Sequence, residues 1–190
     1  MSASSKMQRV GWIAALALFA AATFSINYQV KVNLQGGHGS GSVKEMGNVK
    51  VSQAAPDFSA LDLASNKVSL ADYRGKKVVL VDFWATWCGP CRMAMVDLQG
   101  FLDKYKDRGL EILSLDQGES ADQAGQFIRR KKYGFHVLLD SDGNIAAKYG
   151  VRAIPTLVLI DKSGVIQRLQ VGYSKDDNAL GDDIERLLKQ

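Results

Sequence analysis

The chain has 190 residues, 46% of them apolar and 23% charged, with a net charge of +4. This excludes a disordered protein, which could not bury a core, and suits one ordinary domain with something added. Without Lys6 and Arg9 the basic excess falls from four to two, and no Arg/Lys stripe with interleaved aromatics exists, so nucleic acid is not an expected partner.

The stretch Val10 to Val30, "VGWIAALALFAAATFSINYQV", carries no charge. As a helix it would reach across a hydrocarbon core about 30 Å thick. Its more apolar part, Val10 to Phe24, also has the length of a signal-peptide core, with small residues at Ala20, Ala21 and Ala22. An uncleaved anchor and a cleaved signal both remain open over residues 1–30. Either one sends the rest of the chain outside the cytoplasm and keeps Lys6 and Arg9 inside. Residues 31–51, which include "GGHGSGS", have linker composition, with His38 as a linker residue. The folded domain is expected over 52–190.

Within it, "DFSALDLASNKVSL" predicts two short strands around a Ser65-Asn66 turn. "KKVVLVDFWA" is a near-continuous β run, the mark of a strand buried on both faces. A helix is expected from about Cys88 to Lys106, stopped by Gly109, and then a buried strand at "LEILSLD". Ser120 to Tyr133 predicts a helix with Gly134 as its stop. "HVLLD", a turn at Asp142-Gly143, and a short helix to Tyr149 follow. "TLVLID" and "VIQRLQVG" around Ser163-Gly164 predict a hairpin. An amphipathic helix from Asp176 to Lys189 closes the chain. The alternation argues for an α/β fold with a mixed central sheet flanked by helices.

Cys88 and Cys91 are the only cysteines. As a structural staple they would close a very small loop, which constrains the unfolded chain least. As a zinc site they supply two ligands of the four needed, and His38 and His136 lack ligand spacing, so no metal is expected. A redox pair explains more residues. Cys88 follows a buried strand and opens a helix, where unpaired N–H groups favour a thiolate. Cys91 can then reach back and resolve a mixed disulfide. Pro90 lies in the first helical turn, where its missing N–H costs nothing. Asp82 interrupts an apolar run, where a buried carboxylate is costly and its pKa raised. There it can take the Cys91 proton through a water. "AIPT" places Pro155 before a strand, a position for a cis bond.

These residues resemble a known family. "VDFWATWCGPC", the "IPT" about sixty residues on, and the final hairpin and helix resemble thioredoxin. "APDFSALDL" and the insert "SADQAGQFIRRKKYGFHVLLDSDGNIAAKYGV" are similar to the TlpA/ResA type, with an AhpC/TSA-redoxin-like domain. The resemblance implies a thioredoxin fold with an N-terminal β-hairpin and a central insertion. It implies a Cys88–Cys91 disulfide, with Cys88 the exposed nucleophile and Cys91 the buried resolving thiol. Trp87, Gly89 and Pro90 would shape the surface beside Cys88, Pro155 would be cis, and the Ile154 backbone would pair with a substrate segment. It implies no cofactor, disulfide-containing protein clients, a membrane thiol electron donor, and an anchored extracytoplasmic domain in a bacterial envelope. Cytochrome c maturation and oxidase assembly are the implied settings. The chain departs from this subgroup at Gly89 and Asp82, which follow thioredoxin itself, while Ile112 stands where thioredoxin has a Lys.

Two other classes compete. "APDF" also opens peroxiredoxin-like thiol peroxidases, but the Thr and upstream Pro expected before their cysteine are absent here. A non-catalytic module binding clients or metallochaperones through the Trp87–Pro155 groove is the other.

Overall fold

Strand β6 (Val78–Trp84) is buried along its whole length, as a central strand must be. Val79, Val81 and Phe83 point to one side and Val78, Leu80 and Trp84 to the other, so both faces of the sheet carry a core. The computed structural model describes residues 41–175 and 178–190. The expected anchor or signal at 1–30 lies outside the described residues. Among those described, no helix is long and apolar enough to cross a membrane.

In chain order the other strands are β1 (Gly41–Val43), β2 (Glu45–Met46), β3 (Val49–Lys50), β4 (Ser59–Asp62), β5 (Lys67–Ser69), β7 (Leu110–Gln117), β8 (His136–Asp140), β9 (Thr156–Ile160) and β10 (Ile166–Val171). The helices are α1 (Gly89–Tyr105), α2 (Ala121–Lys131), α3 (Asn144–Tyr149) and α4 (Ala179–Leu188). One eight-stranded sheet runs β1-β10-β9-β6-β7-β8-β4-β5. The β6–β7 and β7–β8 pairs are parallel; the rest are antiparallel, so the sheet is mixed as expected. The β4–β5 hairpin turns at Ser65, whose φ is 65°, and joins the sheet through β8, the strand inside the expected insertion.

Helices α1, α2 and α4 cover one face, with Leu98, Leu102, Phe127, Ile184 and Leu187 in its core. The other face is covered by α3 and by Met46, Val49, Phe58 and Leu70 from the N-terminal part of the domain. Residues 41–50 correct the linker reading. Gly41 pairs with Val171 and Val43 with Leu169, so β1 is the sheet's edge strand. A ladder made of backbone groups needs no side-chain pattern, which is why Gly/Ser composition concealed it.

The helix ends follow local chemistry. Ser120 and Gln123 form a reciprocal capping box at the start of α2. Gly109, at φ 102°, closes the 3-10 turn after α1, in agreement with the sequence. Gly134 does not stop α2. Lys132 takes the left-handed conformation instead (φ 57°), with its N–H on the Arg129 and Ile128 carbonyls. Gly134 is used for packing: its N–H donates to Gln99 Oε1 at 2.8 Å.

Candidate active site

The parallel strand β6 delivers the chain to a β-turn, Ala85 to Cys88, closed by Cys88 N–H donating to Ala85 O at 3.1 Å. Cys88 is the N-cap of α1, and Cys91 N–H donates to its Sγ at 3.2 Å. The thiolate reading of the sequence rested on this placement, since helix N-terminal N–H groups and the dipole favour negative sulfur. Cys88 and Cys91 are joined as a disulfide, with Cα atoms 5.3 Å apart. Pro90 is in the first turn of α1.

Cys88 is less exposed than the resemblance implied. It is 5% accessible against 0% for Cys91, because its sulfur lies 3.7 Å from Ile154 O and is bonded inward to Cys91. Of the two residues, Cys88 is the more accessible. Ile154–Pro155 is cis, and Thr156 begins β9 directly after it. Ile154 touches both cores, so it packs as well as presenting its backbone to the disulfide. Trp87 is 68% exposed beside Cys88, and Pro90 is exposed while Gly89 is half-buried. The structure therefore brings Trp87, Cys88, Gly89, Pro90, Cys91, Ile154 and Pro155 to one end of the sheet.

Asp82 lies on the face of β6 covered by α1 and is 1% exposed. The burial expected from the sequence is met. Burial pushes its pKa up to about 7, with one opposing hydrogen bond from Ser114. Ser114 Oγ donates to Asp82 Oδ2 at 3.2 Å, and Oδ1 has no protein partner. No direct hydrogen bond joins Asp82 to either cysteine.

Three acidic-site residues were missed in the sequence. Ser114 stands in register with Asp82 on β7, two positions beyond Ile112 on the same face. A Ser within an apolar run was the available signal. Asp116, opposite Trp84 on the same face, is also fully buried. Glu119 is nearly buried, and both its oxygens accept from Thr86. Among the described residues no cluster of His, Cys, Asp and Glu could hold a metal ion.

Comparison with known proteins agrees with this geometry. The AhpC/TSA family model matches residues 51–169. The thiol-disulfide oxidoreductase ResA of Bacillus thuringiensis subsp. konkukian is 38% identical over 129 residues, which are 67% of this chain and 74% of that protein. The thioredoxin-like protein YneN of Bacillus subtilis is 40% identical over 135 residues, 69% of this chain and 76% of its own. A solved structure from Chlorobium tepidum, assigned the name thiol:disulfide interchange protein DsbE, superposes with a TM-score of 0.70 at 32% identity. It covers 74% of this chain and 99% of that one. With its disulfide at a helix N-terminus in a thioredoxin-like α/β fold, the chain belongs to the AhpC/TSA family and is a thiol–disulfide oxidoreductase.

Proposed function

We propose that this enzyme reduces disulfides of partner proteins on the extracytoplasmic side of a membrane. One observation carries the division of labour. The pair is asymmetric, with Cys88 at the helix N-cap keeping some access to solvent and Cys91 keeping none.

In the reduced enzyme, Cys88 thiolate attacks one sulfur of a client disulfide. The client S–S bond breaks, a mixed disulfide forms, and a client thiolate leaves. Cys91 then loses its proton to Asp82 through a bridging water and attacks the Cys88 sulfur. The second client thiolate leaves, and the enzyme is oxidised by two electrons to the Cys88–Cys91 disulfide. A dithiol donor in the membrane returns those electrons by the same exchange run in reverse. Trp87, Gly89, Pro90 and the Ile154–Pro155 segment form the client-docking surface, with the Ile154 backbone offering β-like pairing.

The uncharged run Val10 to Val30 supports attachment to, or export across, a membrane, with residues 1–30 as that segment. The sequence resemblance supports apocytochrome c cysteine pairs and oxidase assembly factors as clients.

The test uses the full-length chain. Cys91→Ser is expected to accumulate a mixed disulfide with insulin at Cys88, seen as a covalent adduct by mass, and Cys88→Ser to form none. The opposite pattern would reverse the roles. Equilibration with glutathione or dithiothreitol sets the direction. A potential near thioredoxin's, about −270 mV, supports the reductant, and one near DsbA's, about −120 mV, overturns it.

A further inference from the structure

The turn that carries Cys88 is held from outside the C-x-x-C motif. Thr86, second residue of the Ala85–Cys88 turn, donates to a single carboxylate twice. Its N–H meets Glu119 Oε2 and its Oγ1 meets Glu119 Oε1, both at 2.6 Å. Two short charge-assisted bonds from one residue make a fork that fixes orientation as well as position. Glu119 follows β7, and its own backbone is anchored in turn. Its N–H donates to Asp116 Oδ1 at 3.0 Å. Asp116 is fully buried, and its Oδ2 accepts from no donor.

We infer that Glu119 is a positioning residue for Trp87 and Cys88, and that Asp116, whose Oδ1 accepts the Glu119 N–H, keeps Glu119 in place. This rests on the reading of Cys88 as the attacking sulfur.

The two carboxyls have different roles because their partners differ. Both Glu119 oxygens are already taken up by the Thr86 N–H and hydroxyl donors. Asp116 is raised to about 7 by burial first, then by its hydrogen bond with the Glu119 side chain and by that group's charge. Protonated, Asp116 gains a donor for its orphaned side, and the buried pair carries one charge instead of two. The groups around it leave this logic in place. Trp84 is its register partner on β6, with Asp82 two residues earlier, and Leu139 is its partner on β8. The face of α2 packed here carries Ala124 and Phe127. From α1, Arg92 Nη1 reaches the Thr86 carbonyl at 3.4 Å. As pH rises through about 7, Asp116 ionises, the donor is lost, and two anions face each other beside the turn.

The experiment is insulin reduction by the full-length protein with dithiothreitol as electron source, between about pH 5.5 and 8.5, spanning the raised value. Glu119→Gln and Thr86→Val are expected to slow the reaction about tenfold, the equivalent of one charge-assisted hydrogen bond. Thr86→Ser, which restores the hydroxyl, recovers most of the loss. Asp116→Asn donates at every pH, so its rate relative to wild type climbs above pH 7 by about threefold or more, as a lost hydrogen bond to a charge would give. A Glu119→Gln protein with wild-type rates and only a lower melting temperature overturns the inference, as does a flat Asp116→Asn ratio. Because Thr86 lies in a surface turn, its two variants remain informative if Glu119→Gln fails to fold. Cys88→Ser separates the two levels. Activity surviving in it removes the nucleophile reading itself, whereas a dead Cys88→Ser beside a normal Glu119→Gln removes only this inference.

Discussion

Asp82 and Ser114 face each other on neighbouring parallel strands, and among the described residues the serine hydroxyl is the one donor to a carboxyl sealed from solvent. A single neutral donor offsets little of the cost of burying a charge. The acid therefore titrates near neutrality, beneath the helix that carries both cysteines.

Stability should fall as pH rises, because of this group. Its folded pKa, about 7, is above its ordinary value of 3.8, so the folded state holds the proton more tightly than the unfolded chain. Its contribution is complete below about pH 4 and is lost progressively as pH rises to about 7. Asp82→Asn removes that slope. In urea melts the variant should match wild type near pH 4 and exceed it near pH 8, by up to the order of 4 kcal/mol. Part of the slope will remain in the variant, because Asp116 is raised to a similar value. Equal stabilities at pH 8 would mean that Asp82 is not desolvated as its burial implies.

The same substitution should harm exchange while helping stability. If Asp82 takes the Cys91 proton, only its ionised form works, so resolution of the mixed disulfide speeds up as pH rises through about 7. Asp82→Asn is expected to slow resolution by about tenfold to a hundredfold and to flatten that pH dependence. Stopped-flow release of a second client thiol from a preformed Cys88 adduct measures this step alone. An unchanged profile would remove Asp82 from the mechanism.

Much of this arrangement was legible in the sequence. "VVLVDFW" could only be a central strand, and a lone Asp within it announced a costly burial. The C-x-x-C at a strand–helix junction specified its own geometry, since both sulfurs belong to one helical turn. What escaped notice is long-range pairing. Ser114 and Glu119 reach residues 32 and 33 positions away, and periodicity says which face a residue takes but not what it will meet there. The edge strand β1 escaped for another reason. It joins through backbone hydrogen bonds, and its Gly-Ser-Val sequence carries no apolar alternation. Lys132 ending α2 in place of Gly134 shows packing overriding a left-handed preference of glycine.

Gly150 is where the N-terminal strands meet α3. It caps that helix at φ 71°, and a Cβ added there would lie 2.5 Å from Gly47 Cα, backbone against backbone. Neither glycine can yield, because Gly47 is itself at φ 53°. Gly150→Ala combines a disfavoured conformation with a clash and should cost about 2 kcal/mol or more. Hydrogen exchange would show the loss concentrated in β2 and β3. A uniform loss over the sheet would contradict a local lock.

Tyr149 tests how that same region is held from inside. Its ring packs against Phe58 and Phe83, and its hydroxyl donates to the Pro56 carbonyl at 2.7 Å. Burial, reinforced by the nearby Asp57 charge, keeps the phenol protonated well above its ordinary range. Tyr149→Phe keeps the ring packing and leaves a buried carbonyl without its donor. A loss of about 1–2 kcal/mol is expected, independent of pH between 5 and 9, because no titrating state is removed. A pH-dependent loss would contradict this account. Since Pro56 lies at the start of the segment leading into β4, the variant should also loosen the β4–β5 hairpin while leaving the exchange rate of the Cys88–Cys91 pair unchanged.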